Sequence, residues 1–193
     1  MRQATVKRTT KETDIEITIN LDKSEPPQVD TGIGFFDHML TALGVHSGFS
    51  LKVLAKGDTE VDCHHTIEDV GIVLGQAFLE ALGDKKITRF GNSTIPMDES
   101  LSSCSVDVSG RAFLVFNADF KYQYMGQMET VMVEEFFRSF AYNARITLHI
   151  NNLYGDNDHH KAESIFKAVS HALKIAAKPI GENEMLLSTK GTI

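Results

Sequence analysis

Apolar and polar residues alternate strictly over 14–21 (DIEITINL), with Ile15, Ile17, Ile19 and Leu21 on one side, and this period of two predicts a half-buried strand. A strand over 3–10 completes a hairpin with it. Residues 22–32, with Pro26-Pro27 and Gly32, read as a loop, and 35–46 (FFDHMLTALGVH) read as a helix followed by a strand at 49–56. Ile67, Val70, Leu74, Ala77, Phe78 and Ala81 then recur at helical spacing until Gly83 stops the run.

The same order returns from residue 101. SSCSVDVSG and RAFLVFN read as a hairpin around Ser109-Gly110, VMVEEFFRSFAYNA as a helix, ITLHIN as a strand and 159–177 as a second helix. Residues 91–99 and the tail beyond 178 read as loops. The pattern predicts an internally duplicated strand-strand-helix-strand-helix unit, with pseudo-repeats at about 3–83 and 101–178, an α+β architecture in one domain.

The register of the repeat is fixed by residues. D-C-H-H-T-I-E-D at 62–69 answers N-D-H-H-K-A-E-S at 157–164, so both final helices begin His-His-x-x-Glu. His38 and Glu135 sit on the earlier helix of their respective halves and are counterparts. In a helix, residues four apart share a face, so His64 with Glu68 and His159 with Glu163 can each present an imidazole and a carboxylate to one ion. His65 and His160 point about a quarter turn away and can serve the other ion. Pseudo-two-fold symmetry then assigns His38, His65, His159 and Glu163 to one ion, and His64, Glu68, His160 and Glu135 to a second. Such donor sets, without sulfur, suit Mn²⁺, Fe²⁺ or Zn²⁺ better than Ca²⁺ or Mg²⁺.

A single His-His-x-x-Glu could be a solvated helix terminus, but two in register argue for ligands. The inverted zinc-protease pattern is excluded because Asp69 and Ser164 stand where its second histidine would be. His149 and His171 read as structural histidines, while His46, close to His38 on its helix, is a candidate substrate contact.

Composition narrows the partners. A net charge of -7 over 193 residues disfavours nucleic acid and anionic membranes, which attract surplus Lys and Arg. No run approaches the roughly 18 apolar residues of a membrane span, and MRQATVKRTTKETD lacks the apolar core of a signal peptide. Two cysteines without a CxxC pair support neither a disulfide framework nor a thiolate site, so a cytoplasmic setting is expected. GIGFFD is not a GxGxxG cradle and no GxxxxGK[ST] occurs, so nucleotide binding has no motif.

Taken in order, GIGFFDHML (32–40), DCHHTIEDVGIVLG (62–75), RFG (89–91), PMDESL (96–101), DVSGR (107–111), GDNDHHKAESIFKA (155–168) and STKG (188–191) resemble the imidazoleglycerol-phosphate dehydratases over nearly the whole chain. Some members of that family carry a histidine where this chain has Glu135. The resemblance implies a fold like the second domain of ribosomal protein S5 and a closed homo-oligomer of about two dozen copies, a 24-mer, with metal sites at subunit contacts. It also implies two Mn²⁺ per subunit.

By the same resemblance, Arg89, Arg111 and Lys190, with Lys167 and the Ser188 hydroxyl, hold a substrate phosphate, and the C-terminal tail is part of the substrate site. Glu12 binds the glycerol hydroxyls, and the metal-ligand residues also contact the substrate. Glu12 and Arg111 are placed in corresponding hairpin turns. The implied reaction is dehydration of D-erythro-imidazoleglycerol 3-phosphate to imidazole acetol phosphate in histidine biosynthesis. The proton to be lost has no carbonyl beside it, so the metals are expected to acidify the ring N–H and create an imidazolate that expels the neighbouring hydroxyl. Glu12, Glu68 and Glu163 are the candidate general acids or bases. A storage protein and a phosphoesterase are the competing classes; the Arg and Lys set argues against the first, and a phosphate site on segments separate from the ligand helices against the second.

Overall fold

The computed structural model describes residues 1–83, 86–181 and 187–188. The first half contains β1 (Gln3–Thr9), β2 (Thr13–Asn20), β3 (Gln28–Asp30), α1 (Gly34–Ser47), β4 (Ser50–Gly57) and α2 (His64–Leu82). The second contains β5 (Phe90–Met97), β6 (Ser100–Asp107), β7 (Phe113–Asn117), a small ribbon of β8 (Tyr124–Met125) and β9 (Met128–Glu129), α3 (Met132–Ala144), β10 (Thr147–Tyr154) and α4 (Asp158–Ala176). No described helix is long and apolar enough to cross a membrane.

The strand alternation of β2 is realised as expected: Ile15, Ile17 and Ile19 are buried against the helices, and β1 pairs with it antiparallel with Val6 opposite Ile17. Both large sheets have the same order, β1-β2-β4-β3 and β5-β6-β10-β7. In each, two antiparallel pairings are followed by one parallel pairing, β3 on β4 and β7 on β10, across a helical crossover.

The strands depart from the expected pattern in three places. The repeat has a third strand before its first helix, and the second copy begins at β5, within residues read as a loop, not at 101. FGNSTIPM is poor in strand formers because β5 is an edge strand, where Pro96 costs no ladder hydrogen bond. Gly91 lies so close beneath α4 that a Cβ there would stand 2.0 Å from the Ala172 carbonyl oxygen. Ser109-Gly110 is likewise no hairpin: β6 pairs back to β5, and the chain passes over β10 to enter β7 on its far side.

The halves interlock. α1 of the first half packs along α4 of the second, and α3 of the second along α2 of the first. At the α2–α3 crossing, a Cβ on Gly75 would lie 2.6 Å from the Phe140 carbonyl oxygen, so glycine permits that approach. Phe136 is the hub of the shared core, with its ring 5.3 Å from Phe36 of α1, 5.0 Å from Phe137 and 5.4 Å from Phe166 of α4. Phe136→Ala is therefore expected to destabilise the chain by about 3–5 kcal/mol, read as a lowered thermal midpoint; an unchanged midpoint would mean the helix layer is held by other contacts.

Candidate metal centre and anion site

Each His-His-x-x-Glu segment is anchored by a side chain two residues before its first histidine, which in α4 is the N-cap itself. The Asp62 carboxylate accepts the His64 backbone N–H at 2.7 Å, and the Asn157 side-chain oxygen accepts that of His159 at 2.9 Å. With α2 and α4 begun at these points, the first histidine and the glutamate of each segment share a face. His64 Nε2 lies 3.7 Å from Glu68 Oε2, and His159 Nε2 lies 3.4 Å from Glu163 Oε2.

The α1–α4 packing brings His38 Nε2 to 3.5 Å from the same Glu163 oxygen. Ligand atoms of His38, His159 and Glu163 all fall within 4.8 Å of one another, the one such group of three among the described residues. Two imidazoles and a carboxylate converging on one point fit a first-row divalent ion with coordination positions to spare. Phe35 stands edge-on to both rings, 6.4 Å from His38 and 5.1 Å from His159. Burial pushes the Glu163 carboxyl upward, but the Lys167 ammonium 2.7 Å away and the two imidazoles outweigh it and hold the group below its ordinary value.

The second quartet is only half assembled. Glu135 sits on α3 beside α2, but its carboxylate pairs with Arg138 Nε at 3.3 Å, and Arg138 also pairs with Glu134. Within one chain the first quartet lacks His65, and the second lacks both His160 and Glu135. His65 is turned to Asp58, 3.0 Å from its nearer oxygen, and His160 to Glu99 at 2.7 Å. Each hydrogen bond is the largest influence on its imidazole and holds it above the ordinary histidine value, while His160 holds Glu99 well below the usual carboxylate range.

Arg89 and Arg111 meet at Asp107. Arg89 grips that carboxylate with two bonds of 2.7 and 3.1 Å from a left-handed backbone (φ 72°), and Arg111 Nη2 lies 3.7 Å from it. The Arg89 guanidinium also donates to the Leu187 carbonyl at 2.5 Å, drawing the segment carrying Ser188 to the same place. Lys190 lies outside the described residues, and Lys167 is not at this cluster: it pairs with Glu163 at the metal end.

The two clusters occupy opposite ends of α4. Arg89 N–H bonds the Ala176 carbonyl at the helix C-terminus, whereas His159 is in the first turn, and 17 residues at 1.5 Å each separate them by about 25 Å. Glu12 is at the His65 end, in the β1–β2 turn, where Thr10 Oγ1 accepts its backbone N–H and its own carbonyl accepts from Asp58 N–H. Its counterpart is Glu99 in the β5–β6 turn, which corrects the expected pairing with Arg111; Arg111 lies on the β6–β7 connection. His46 faces His171 across α1 and α4 with ring centroids 5.5 Å apart, and burial first, then Lys167 and His171, lower its pKa and favour a neutral ring. A cleft of about 570 Å³ opens beside His159 and His160, flanked by Phe35, Tyr122 and Tyr124.

Residue reasoning missed Asp58, Asp107 and the orienting role of Glu99. Asp107 and Glu99 lie inside the DVSGR and PMDESL segments, but only the folded sheet shows what they hold; Asp58 carries no sequence signal.

Residues 31–173 match the family model described as imidazoleglycerol-phosphate dehydratase. The chain is 55% identical to the imidazoleglycerol-phosphate dehydratase of Streptococcus sanguinis over 194 residues, covering 100% of both, and 55% identical to that of Clostridioides difficile over the same span. Among solved structures, it superposes with a TM-score of 0.84 at 45% identity on the Staphylococcus aureus dehydratase, covering 92% of this chain and 99% of that one. The Pyrococcus furiosus enzyme gives a TM-score of 0.85 at 37% identity, covering 97% and 100%.

The geometry makes a separable prediction. His38→Ala should remove about one equivalent of Mn²⁺ binding per chain in a titration of chelator-stripped protein, whereas Arg111→Ala, in the cluster that Arg89 anchors at the other end of α4, should leave the isotherm unchanged. Equal effects of the two substitutions would refute the separation.

Proposed function

The chain belongs to the imidazoleglycerol-phosphate dehydratases, hydro-lyases of histidine biosynthesis, and from that premise we propose how its own residues carry out the reaction. The reading is that it converts D-erythro-imidazoleglycerol 3-phosphate to imidazole acetol phosphate with two Mn²⁺ per subunit. The observation that carries it is the convergence of His38, His159 and Glu163, contributed by both halves, at a distance from two arginines converging on one point. Bound divalent ions would supply the Lewis acidity that makes the substrate's ring N–H acidic enough to be lost.

The protein's residues then have distinct tasks. Arg89 is fixed by Asp107 and offers its remaining N–H donors, while Arg111, 65% exposed and only loosely paired, is free to close on a phosphate. Ser188 would join them from the segment drawn in by Arg89, and by the family resemblance Lys190 is assigned to the same phosphate. Lys167 stays at the metal end: it neutralises Glu163 in the free protein and can turn to the phosphate of a substrate bound there. Glu12 is exposed in its turn and suited to the glycerol hydroxyls and to moving the carbon-bound proton, with Glu68 and Glu163 as alternative acid or base.

A substrate with one ring, three carbons and a phosphate cannot bridge about 25 Å. The separation therefore supports active sites built between copies, with the metal end of one chain meeting the arginine end of another in a homo-oligomer, by family expectation a 24-mer. Exposed apolar residues such as Val45, Val131, Leu153, Tyr154 and Ile175 would be covered in such an assembly. Two free, buried cysteines accord with a reducing, cytoplasmic setting.

Chelator-stripped protein given imidazoleglycerol phosphate should form imidazole acetol phosphate only after Mn²⁺ is restored. Release of inorganic phosphate without the ketone would contradict the proposal in favour of a phosphoesterase. Glu12→Gln should keep metal and phosphate binding while lowering kcat by about 10²–10⁴-fold; near-normal turnover would remove Glu12 from the chemistry.

A further inference from the structure

We propose that Asp58 and Glu99 are positioning residues that grip Nδ1 of His65 and His160, so that each Nε2 is presented outward as a ligand atom, and that Asp58's doing this in the first half leaves Glu12 free for substrate. The inference rests on the metal-dependent reading above.

A carboxylate at Nδ1 accepts a hydrogen bond, so the proton resides on Nδ1 and the lone pair on Nε2. Glu99 is built for this. Its Oε2 lies 2.7 Å from His160 Nδ1, while Oε1 accepts from the backbone N–H groups of Asp156 at 3.2 Å and Asn157 at 2.9 Å, and from Ser100 Oγ at 3.1 Å. One carboxylate thus ties the β5–β6 turn to the start of α4 and sets the orientation of the ring. His160 Nε2 itself lies 3.7 Å from an Asp98 oxygen, beyond hydrogen-bond range.

In the first half the equivalent turn carries Glu12, yet the task has passed to Asp58. Both Asp58 oxygens lie within reach of His65 Nδ1, at 3.0 and 3.2 Å, and the Asp58 backbone is anchored at both ends, its N–H to the Glu12 carbonyl at 3.1 Å and its carbonyl to Val61 N–H at 2.8 Å. Among the described residues no hydrogen bond engages the Glu12 carboxylate, which acts on His65 only through its charge. The duplication has therefore produced two turn glutamates with different duties: Glu99 orients a ligand, and Glu12 is released from doing so.

The test is Mn²⁺ binding to the assembled, chelator-stripped protein, followed by calorimetry and by the spin-resonance signal of free Mn²⁺. The unsubstituted chain should bind two ions. Asp58→Ala should weaken one class of site and Glu99→Gln the other, each by roughly 10–100-fold. Asp58→Asn should recover most of the affinity, because the amide oxygen can still accept from Nδ1. Glu99→Gln should not, because its oxygen stays with the Asp156 and Asn157 N–H groups and its NH₂ faces Nδ1, forcing the proton onto Nε2. Glu12→Gln should leave both classes untouched. Variants that lower the thermal midpoint but bind two ions with unaltered affinity would reduce both carboxylates to structural roles and overturn the inference. An unsubstituted chain that binds no Mn²⁺ would instead sink the metal reading, and this inference with it.

Discussion

The packing of α1 on α4 and of α3 on α2 is the contact on which the rest of the molecule depends. Each half, folded alone, would leave its second helix with an uncovered apolar face; exchanging first helices covers both and makes one core from two repeats. The same exchange carries His38 to His159 and Glu163, so the candidate metal site is a consequence of how the core closes. Phe136, seated among rings from three helices, joins the stability of that closure to the geometry of the site one helical turn away.

The duplication is symmetric in its backbone and unequal in its chemistry. Both sheets have the same order and both His-His-x-x-Glu segments open their helices, but Lys167 stands beside Glu163 where the first half has Ile72 beside Glu68. Glu163 is consequently buried, neutralised and poised, while Glu68 is half-exposed and Glu135 is held by Arg138. The pairing of Arg89 and Arg111 on Asp107 belongs to the second half alone, at the far end of α4. Such an arrangement suits a protein whose two ends serve different neighbours better than one whose site is closed within a chain.

Much of this was legible in the residues. Alternation located β2, helical spacing located α2, and two His-His-x-x-Glu segments in register revealed the repeat and the faces of α2 and α4 on which a histidine and a glutamate meet. What escaped did so for physical reasons. β5 is an edge strand under a helix, so it is made of Gly91, Ser93 and Pro96, residues that read as loop. β3 is too short for any period. β6 and β7 are neighbours in sequence but are separated by β10, because only long-range pairing decides sheet order. Asp58, Glu99 and Asp107 act across turns and strands, and no local pattern records a carboxylate's partner.

The central claim is that the metal end of one chain and the arginine end of another form a single site. Its most direct test is complementation: His38→Ala and Arg111→Ala variants, each inactive alone, are dissociated, mixed and reassembled, and dehydratase activity is measured against each variant reassembled by itself. Recovery of a substantial fraction of activity in the mixture alone, from sites that received both intact ends, is the predicted result. A mixture as inactive as its parents, in fully reassembled protein, would place the whole site within one chain and contradict the account.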